Sequence, residues 1–299
     1  MKFVKVKNGN YTMYLDLETG TKIRKNDLDF FDPEKPESMD IKITNKCDMG
    51  CAFCHENSTP DGLHGDIMNL KFIETLLPYT ELAIGGGNPL THPDLIPFLE
   101  KCKALKLVPS MTINQYHFMK PEYEELIDKL VNEKLIYGLG VSLTVASDEF
   151  INKIKKYPNA VIHIINGVQS LDQVKKLYDH NLKVLILGYK MFRRGIKYFS
   201  EAVEIIKNDY HNELAEMTKH FDVVSFDNLA LKQLEVKRLL TEDEWNEFFM
   251  GDDGSHTCYC DLVNKTYSVS STSPLDERFP LADDILEMFN HLKALRKNK

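Results

Sequence analysis

The sequence has no apolar run approaching the roughly 20 residues that a helix needs to cross a bilayer. Its 43% hydrophobic content therefore points to a buried core. The start, Met1-Lys2-Phe3-Val4-Lys5-Val6-Lys7, alternates charge with apolar groups and lacks the hydrophobic segment of an export signal. A cytoplasmic location with no membrane partner is expected. Cysteine is scarce: six in 299 residues do not make a disulfide scaffold. Positive charge is in deficit. With 37 Lys and Arg against 45 Asp and Glu, the net charge of −8 argues against nucleic acid as a partner, since such binding rests on cationic contacts with phosphate. The basic tail Arg296-Lys297-Asn298-Lys299 reads as a solvated helix end. Low-complexity tracts are absent too. The length allows one large domain or two small ones.

What is present is mostly alternation. Residues 1–37 read as a β-hairpin and linker: two strands turn at Asn8-Gly9, which supplies positive φ. A second turn falls at Thr19-Gly20, and an Asp-, Pro- and Glu-rich connection follows. From residue 38 strand-like runs recur at 39–44, 81–84, 107–113, 137–143, 160–165 and 182–187. Amphipathic stripes lie between them, on Ile67, Leu70, Ile73 and Leu77, on Leu95, Leu99 and Cys102, on Tyr123 to Val131, and on Leu171, Val174 and Leu177. Strands alternating with helices demand a parallel sheet with helical crossovers. After residue 210 the pattern is less regular. Phe221 to Phe226 reads as a short strand, Thr241 to Glu244 as a capping box, 251–273 as a loop and hairpin, and 281–295 as a final helix.

Three of the six cysteines stand together, Cys47, Cys51 and Cys54, spaced C-x3-C-x2-C with Phe53 before the last. Iron–sulfur clusters normally take four thiolates. Three would hold three irons of a four-iron cluster and leave the fourth open to a small molecule. The residues alone leave other readings: zinc with His55 as fourth ligand, disulfides, or unrelated core cysteines. Ligands in open α/β folds bind at the carboxyl ends of strands, and this loop follows the first strand of the alternating region. The second strand ends in Gly85-Gly86-Gly87-Asn88-Pro89, where glycines would let a ligand approach the backbone. Asn114, Ser142-Leu143-Thr144, Asn166 and Leu187 end later strands. Lys190, Arg193 and Arg194 follow the sixth and would meet an anionic substrate or solvent. His163 alternates with apolar residues and reads as a packed sheet histidine. Cys102 lies on an apolar helix face and reads as core.

The cysteine spacing with its aromatic residue resembles the signature of the radical S-adenosylmethionine (SAM) superfamily. The resemblance covers about residues 38–210. It implies an α/β fold, a partial (β/α)6 barrel, here with an N-terminal β-hairpin and a C-terminal α+β extension (residues 211–299) covering it. It implies a [4Fe–4S] cluster on Cys47, Cys51 and Cys54, whose open iron binds the amine and carboxylate of SAM. Gly86-Gly87-Asn88-Pro89 looks like the family's Gly-Gly-Glu-Pro segment, which holds the SAM ammonium; Asn88 replaces the Glu and can accept a hydrogen bond without its charge. Ser142 matches a serine that contacts SAM, although Thr144 departs from the usual acidic residue nearby. The other implied SAM contacts are Phe53 through its backbone, Asn166 near ribose or adenine, and Leu187 against adenine.

The activity implied is reductive cleavage of SAM to a 5′-deoxyadenosyl radical that abstracts hydrogen from a substrate, a peptide or a small molecule such as a nucleobase. No catalytic side chain is assigned. A one-electron reductant such as a flavodoxin or ferredoxin is the implied partner. Two non-enzymatic readings stand beside it: a redox or SAM sensor, suggested by Asn88, and a zinc-stabilised interaction module. Cys258 and Cys260 project to one face of a strand. With Cys102 they are too few for a second four-iron cluster, and packing over the barrel mouth is their expected role.

Overall fold

The structure, a computed structural model, describes residues 3–28 and 30–297. The first two residues of the expected opening strand and the last two of the basic tail lie outside the described residues. Strands β1 (Phe3–Asn8), β2 (Tyr11–Asp16) and β3 (Lys22–Lys25) form a small antiparallel sheet. The expected hairpin thus gains a third strand after its second turn. Gly9 supplies the left-handed turn residue, with φ +58°. Val6, Tyr11 and Met13 bury one face of this sheet against Leu77 and Tyr79.

The main sheet holds β4 (Ser38–Thr44), β5 (Glu81–Gly86), β6 (Val108–Asn114), β7 (Gly138–Ser142), β8 (Ala160–Ile165), β9 (Lys183–Leu187), β10 (Val223–Phe226), β11 (Thr257–Asp261), β12 (Thr266–Ser268) and β13 (Phe279–Pro280). Its order is β10-β9-β8-β7-β6-β5-β4-β11-β12-β13. All pairs from β10 across to β11 are parallel, and the last two are antiparallel. Helices α1 (Leu95–Ala104), α2 (Gln115–Met119), α3 (Glu124–Asn132), α4 (Asp148–Ile154) and α5 (Leu171–Lys175) lie in the crossovers. After β9 come α6 (Arg194–Tyr198), α7 (Glu201–Met217) and, past β10, α8 (Asn228–Gln233) and α9 (Glu242–Phe248), the last with the expected Thr241–Glu244 capping box. Helix α10 (Ile285–Lys297) ends the described chain. Among the described residues no helix is long and apolar enough to cross a membrane.

This is the expected α/β architecture of a partial barrel with an N-terminal hairpin and a C-terminal α+β region. Residues after 210 do more than the covering expected of them, because β10 and β11 extend the parallel run at both edges. Cys258 and Cys260 accordingly sit in the wall, buried on β11 beside β4, and not over the mouth. A second difference lies between β4 and β5. The stripe Ile67, Leu70, Ile73 and Leu77 forms no α-helix; only a 3-10 turn, Lys71–Thr75, stands there. The Asp66 carboxylate accepts hydrogen bonds from the backbone N–H groups of Met68 and Asn69, a turn that competes with helix at that point.

Strand patterning explains the hollow. Both faces of a parallel sheet are usually covered, giving continuous apolar runs. Here the strands alternate. In β6, Met111 and Ile113 are buried under helices, whereas Ser110, Thr112 and Asn114 keep partial exposure. In β4, Met39, Ile41 and Ile43 are buried in the main core, and Asp40 and Lys42 line a central cavity. One face packs, and the other encloses that cavity.

Candidate cofactor and substrate cavity

The cysteine loop follows β4 and is fastened along its length. The Cys47 N–H donates to the Thr59 carbonyl (2.8 Å) and the Thr59 N–H to that of Asn45 (3.1 Å). Arg194 donates from Nη1 to the Cys51 carbonyl (3.1 Å) and from Nε to Asn57 (2.9 Å); Arg193 donates to the Glu56 carbonyl (2.6 Å). These two arginines, read in the sequence as open to an anionic substrate or solvent, are therefore spent on holding this loop. Lys190 alone of the three lines the cavity, with Nζ 3.0 Å from Ser271 Oγ and 3.4 Å from His55 Nε2.

Glu56, two residues past Cys54, is a buried anchor of the loop. Its carboxylate meets Lys42 Nζ at 2.8 Å and His55 Nε2 at 3.3 Å. Burial works to raise its carboxyl, but His55 and Lys42 outweigh burial and hold it well below the usual range. Lys42 also pairs with Asp261 on β11 at 3.2 Å. One buried lysine thus ties the cysteine loop to two strands.

Cys47, Cys51 and Cys54 are free, partly exposed thiols that line a cavity of about 420 Å³. A recess of about 470 Å³ adjoins it past Cys51, Phe53 and Asn114. Each volume falls in the range of small-ligand sites. Burial first, and then the neighbouring thiols, raise the Cys47 thiol and push Cys51 up to about 11. Such a group is short of positive charge; a bound metal would supply that charge and so deprotonate the thiols. Asn114 Nδ2 lies 4.0 Å from Cys51 Sγ and donates to it, an outer contact of the type that tunes metal sites.

The donor geometry fits a cluster better than a lone zinc ion. Thiolates around one tetrahedral zinc stand ~3.8 Å apart, given Zn–S bonds of about 2.3 Å. Among the described residues the only donor group converging within 4.8 Å is Cys47, Asp48 and His117, so the three thiols form a wider triangle. His55, the alternative fourth zinc ligand, instead points Nε2 at Glu56 and Lys190. Asp48 and His117 are already joined by a 2.6 Å hydrogen bond, and Lys120 reaches Asp48 at 3.0 Å. His117 and then Lys120 hold the Asp48 carboxyl down at about 2.

Of the residues expected to contact SAM, Phe53, Gly86, Gly87, Ser142 and Leu187 line the cavity beside the cysteines. Asn88 and Asn166 do not. Asn88 is fully buried: its Oδ1 accepts from the Leu90 N–H (3.2 Å) and its Nδ2 donates to the Tyr123 hydroxyl (3.3 Å). An oxygen that caps the turn after β5 is not turned toward a ligand. Asn166 is fully buried and donates to Gln233, while its Oδ1 has no partner. The glycines that line the cavity also serve the cysteine loop. A Cβ on Gly86 would stand 2.3 Å from the Thr44 carbonyl oxygen, and one on Gly87 2.2 Å from that of Lys46. They let the cysteine loop press on the strand end. Only Gly85 faces open space.

The chain matches the Radical SAM superfamily over residues 41–208. It belongs to that superfamily. It is 27% identical over 181 residues to a Methanocaldococcus jannaschii protein described as a probable GTP 3′,8-cyclase, covering 57% of this chain and 55% of that one. The chain thus spans about half the length of that relative. Its fold resembles Streptococcus suis SuiB bound to its precursor peptide SuiA, with TM-score 0.59 and 16% identity over 86% of this chain and 65% of that one. It also resembles SuiB bound to S-adenosylmethionine, with TM-score 0.61 and 12% identity over 90% and 81%.

Two residues were not expected to line the cavity. His163 is a sheet histidine whose ring packs over Gly140, with Cε1 2.5 Å from where a Cβ there would stand, and it also lines the cavity. Burial lowers it to about 4, so it is neutral at pH 7. Asp40 was not singled out, although Asp40, Lys42 and Thr44 alternate with Met39, Ile41 and Ile43. That period of two was the available signal.

Cys258 and Cys260 lie away from the cysteine loop in the core of the wall. The double variant Cys258→Ser, Cys260→Ser should keep the parent's iron content per folded chain after reconstitution. Loss of about four irons would instead reveal a second cluster.

Proposed function

We propose that this chain is an enzyme that cleaves S-adenosylmethionine reductively and uses the resulting radical to take hydrogen from a substrate in the barrel cavity. The observation that carries the reading is the convergence of three free thiols and the strand-end residues Gly86, Gly87, Ser142 and Leu187 on one cavity. When bound, a [4Fe–4S] cluster supplies the electron that breaks the sulfonium–carbon bond of SAM. The chain's own part is positional. Cys47, Cys51 and Cys54 would ligate iron, Asn114 would donate to the Cys51 sulfur, and the Gly86–Gly87 backbone would border the amino acid end of SAM. The strand wall keeps water and quenchers from the reacting carbon.

In this reading residues 38–210 carry the cofactors, residues 1–37 brace the barrel, and residues 211–299 complete its wall. That all six cysteines are unpaired supports a reducing, cytoplasmic setting. A flavodoxin- or ferredoxin-like protein is the fitting reductant. A peptide substrate is supported by the likeness to SuiB in its complex with a peptide. One observation favours a more compact substrate. Asn228, after β10, donates to Gly251 O (3.2 Å) and to Asp253 Oδ1 (2.7 Å), before β11. These bonds cross the seam between the two ends of the parallel run and narrow any side entrance.

The test is anaerobic incubation of the reconstituted protein with SAM and dithionite. Formation of 5′-deoxyadenosine and methionine is expected. SAM binding with no cleavage would make the chain a sensor and contradict the proposal.

A further inference from the structure

The cavity contains one carboxylate, Asp40, to which no described residue is hydrogen-bonded or ion-paired. Strand β4 places Asp40 in the cavity wall, roughly 13 Å along the strand from Thr44 at about 3.3 Å per residue. The other carboxylates there are engaged. Glu56 meets Lys42 and His55, and Asp227 accepts from the Gly188 and Ala230 N–H groups. Among the described residues Asp40 has no hydrogen-bond or ion-pair partner. Lys190 shares the cavity but spends its ammonium on Ser271 and His55. His163 is neutral there and supplies no counter-charge.

On the reading of the cavity as the substrate chamber of a radical SAM enzyme, we propose that Asp40 anchors a cationic group of the substrate, an ammonium or guanidinium. Asp40 faces the cavity solvent with no positive group bonded to it, which leaves a place for a cation. Desolvation by the enclosing walls, with Asp253, Asp227 and Glu56 adding to it, pushes its carboxyl up to about 6, and Lys190 opposes that rise. At neutral pH Asp40 is therefore ionised against the preference of its surroundings, a condition a cationic ligand relieves. Water reaches the side chain through the cavity, so a ligand can reach it too. A neutral ligand would leave the charge unmet, and an anion would be repelled. The cation could be a peptide lysine or arginine side chain or a free amine; the chemistry at Asp40 is the same.

The test uses the reconstituted protein with SAM present and no reductant, so no turnover is needed. The probes are n-butylammonium and the tripeptide acetyl-Gly-Lys-Gly-amide, with n-butanol and the norleucine tripeptide as uncharged counterparts. Saturable binding of at least one cation is expected. Asp40→Asn should weaken it by about tenfold or more, the scale of one charge-assisted hydrogen bond. The variant should melt no lower than the parent, because the amide removes an unmet charge; a purely structural aspartate would lower the melt. Preference for the tripeptide assigns the cation to a peptide, and preference for butylammonium to a free amine. Binding of neither cation, equal binding of the uncharged probes, or binding indifferent to Asp40→Asn would overturn the proposal. So would weakened SAM binding in the variant, which would place Asp40 in the SAM site. Failure of the parent to form 5′-deoxyadenosine would sink the enzyme reading and leave these binding results standing.

Discussion

Replacing Cys47, Cys51 or Cys54 with Ala, one at a time, is expected to remove the iron from this protein almost entirely, from about four irons per chain to near zero. The loop that carries the three thiols is braced by Arg193, Arg194 and Glu56 rather than by the thiols themselves. Each alanine variant should therefore fold and lose only the cluster. Among the described residues the nearest other donors, Asp48 and His117, are bonded to each other and to Lys120. Cys102, Cys258 and Cys260 are buried in the core, and His55 is engaged with Glu56 and Lys190. Iron and sulfide analysis after anaerobic reconstitution, with visible absorbance, reads the outcome. A full iron complement in all three variants would contradict the assignment. Stoichiometric zinc with no sulfide would do so equally.

Lys42→Met should be the most destabilising single change in the barrel wall. Methionine keeps the length and apolar stem of the side chain and removes the charge. Lys42, with its side chain 2% exposed, stands between Glu56 and Asp261, whose side chains are 10% and 0% exposed. Removing one partner of a buried ion pair leaves an uncompensated charge and costs about 3–5 kcal/mol. Arg193, 3.8 Å from Glu56, and Arg278, 3.7 Å from Asp261, remain as partial counter-charges and favour the lower end. A denaturation midpoint compared at neutral pH measures the loss. The double variant Lys42→Met, Asp261→Asn should recover part of it, since one of the two stranded carboxylates is gone. An unchanged midpoint in the single variant would mean that the network does not fasten the cysteine loop. This prediction could not have been made from the sequence. Lys42 and Asp261 are 219 positions apart, and only the β4–β11 pairing brings them together.

That case shows where the sequence was legible and where it was not. The strands could be read because an alternating pattern is local: five of the six expected runs agree with β4 to β9 to within two residues at either end, and 160–165 matches β8 at both ends. The cysteine motif was legible for the same reason, since its ligands lie within eight consecutive residues. The stripe from Ile67 to Leu77 misled because its buried residues pack without forming a helix; the periodicity records burial, and the Asp66 turn decided the backbone. Asn88 misled because matching a motif position does not settle where a side chain turns, and its oxygen caps the following turn. Arg193 and Arg194 read as open to a substrate or solvent since positive charge in a loop after a strand looks available. Their partners, the carbonyls of Glu56 and Cys51, lie more than 130 residues away. His163 was hidden by its apolar neighbours, because a hydrophobic strand gives no sign that one of its faces encloses a hollow.

The central claim is that three thiols hold a cluster with one iron free for SAM. Electron paramagnetic resonance of the dithionite-reduced, reconstituted protein tests it most directly, recorded on one sample before and after adding SAM. The account predicts a reduced four-iron cluster signal whose shape changes when SAM occupies the open iron. A cluster signal indifferent to saturating SAM, or the absence of any cluster signal from correctly folded protein, would contradict it.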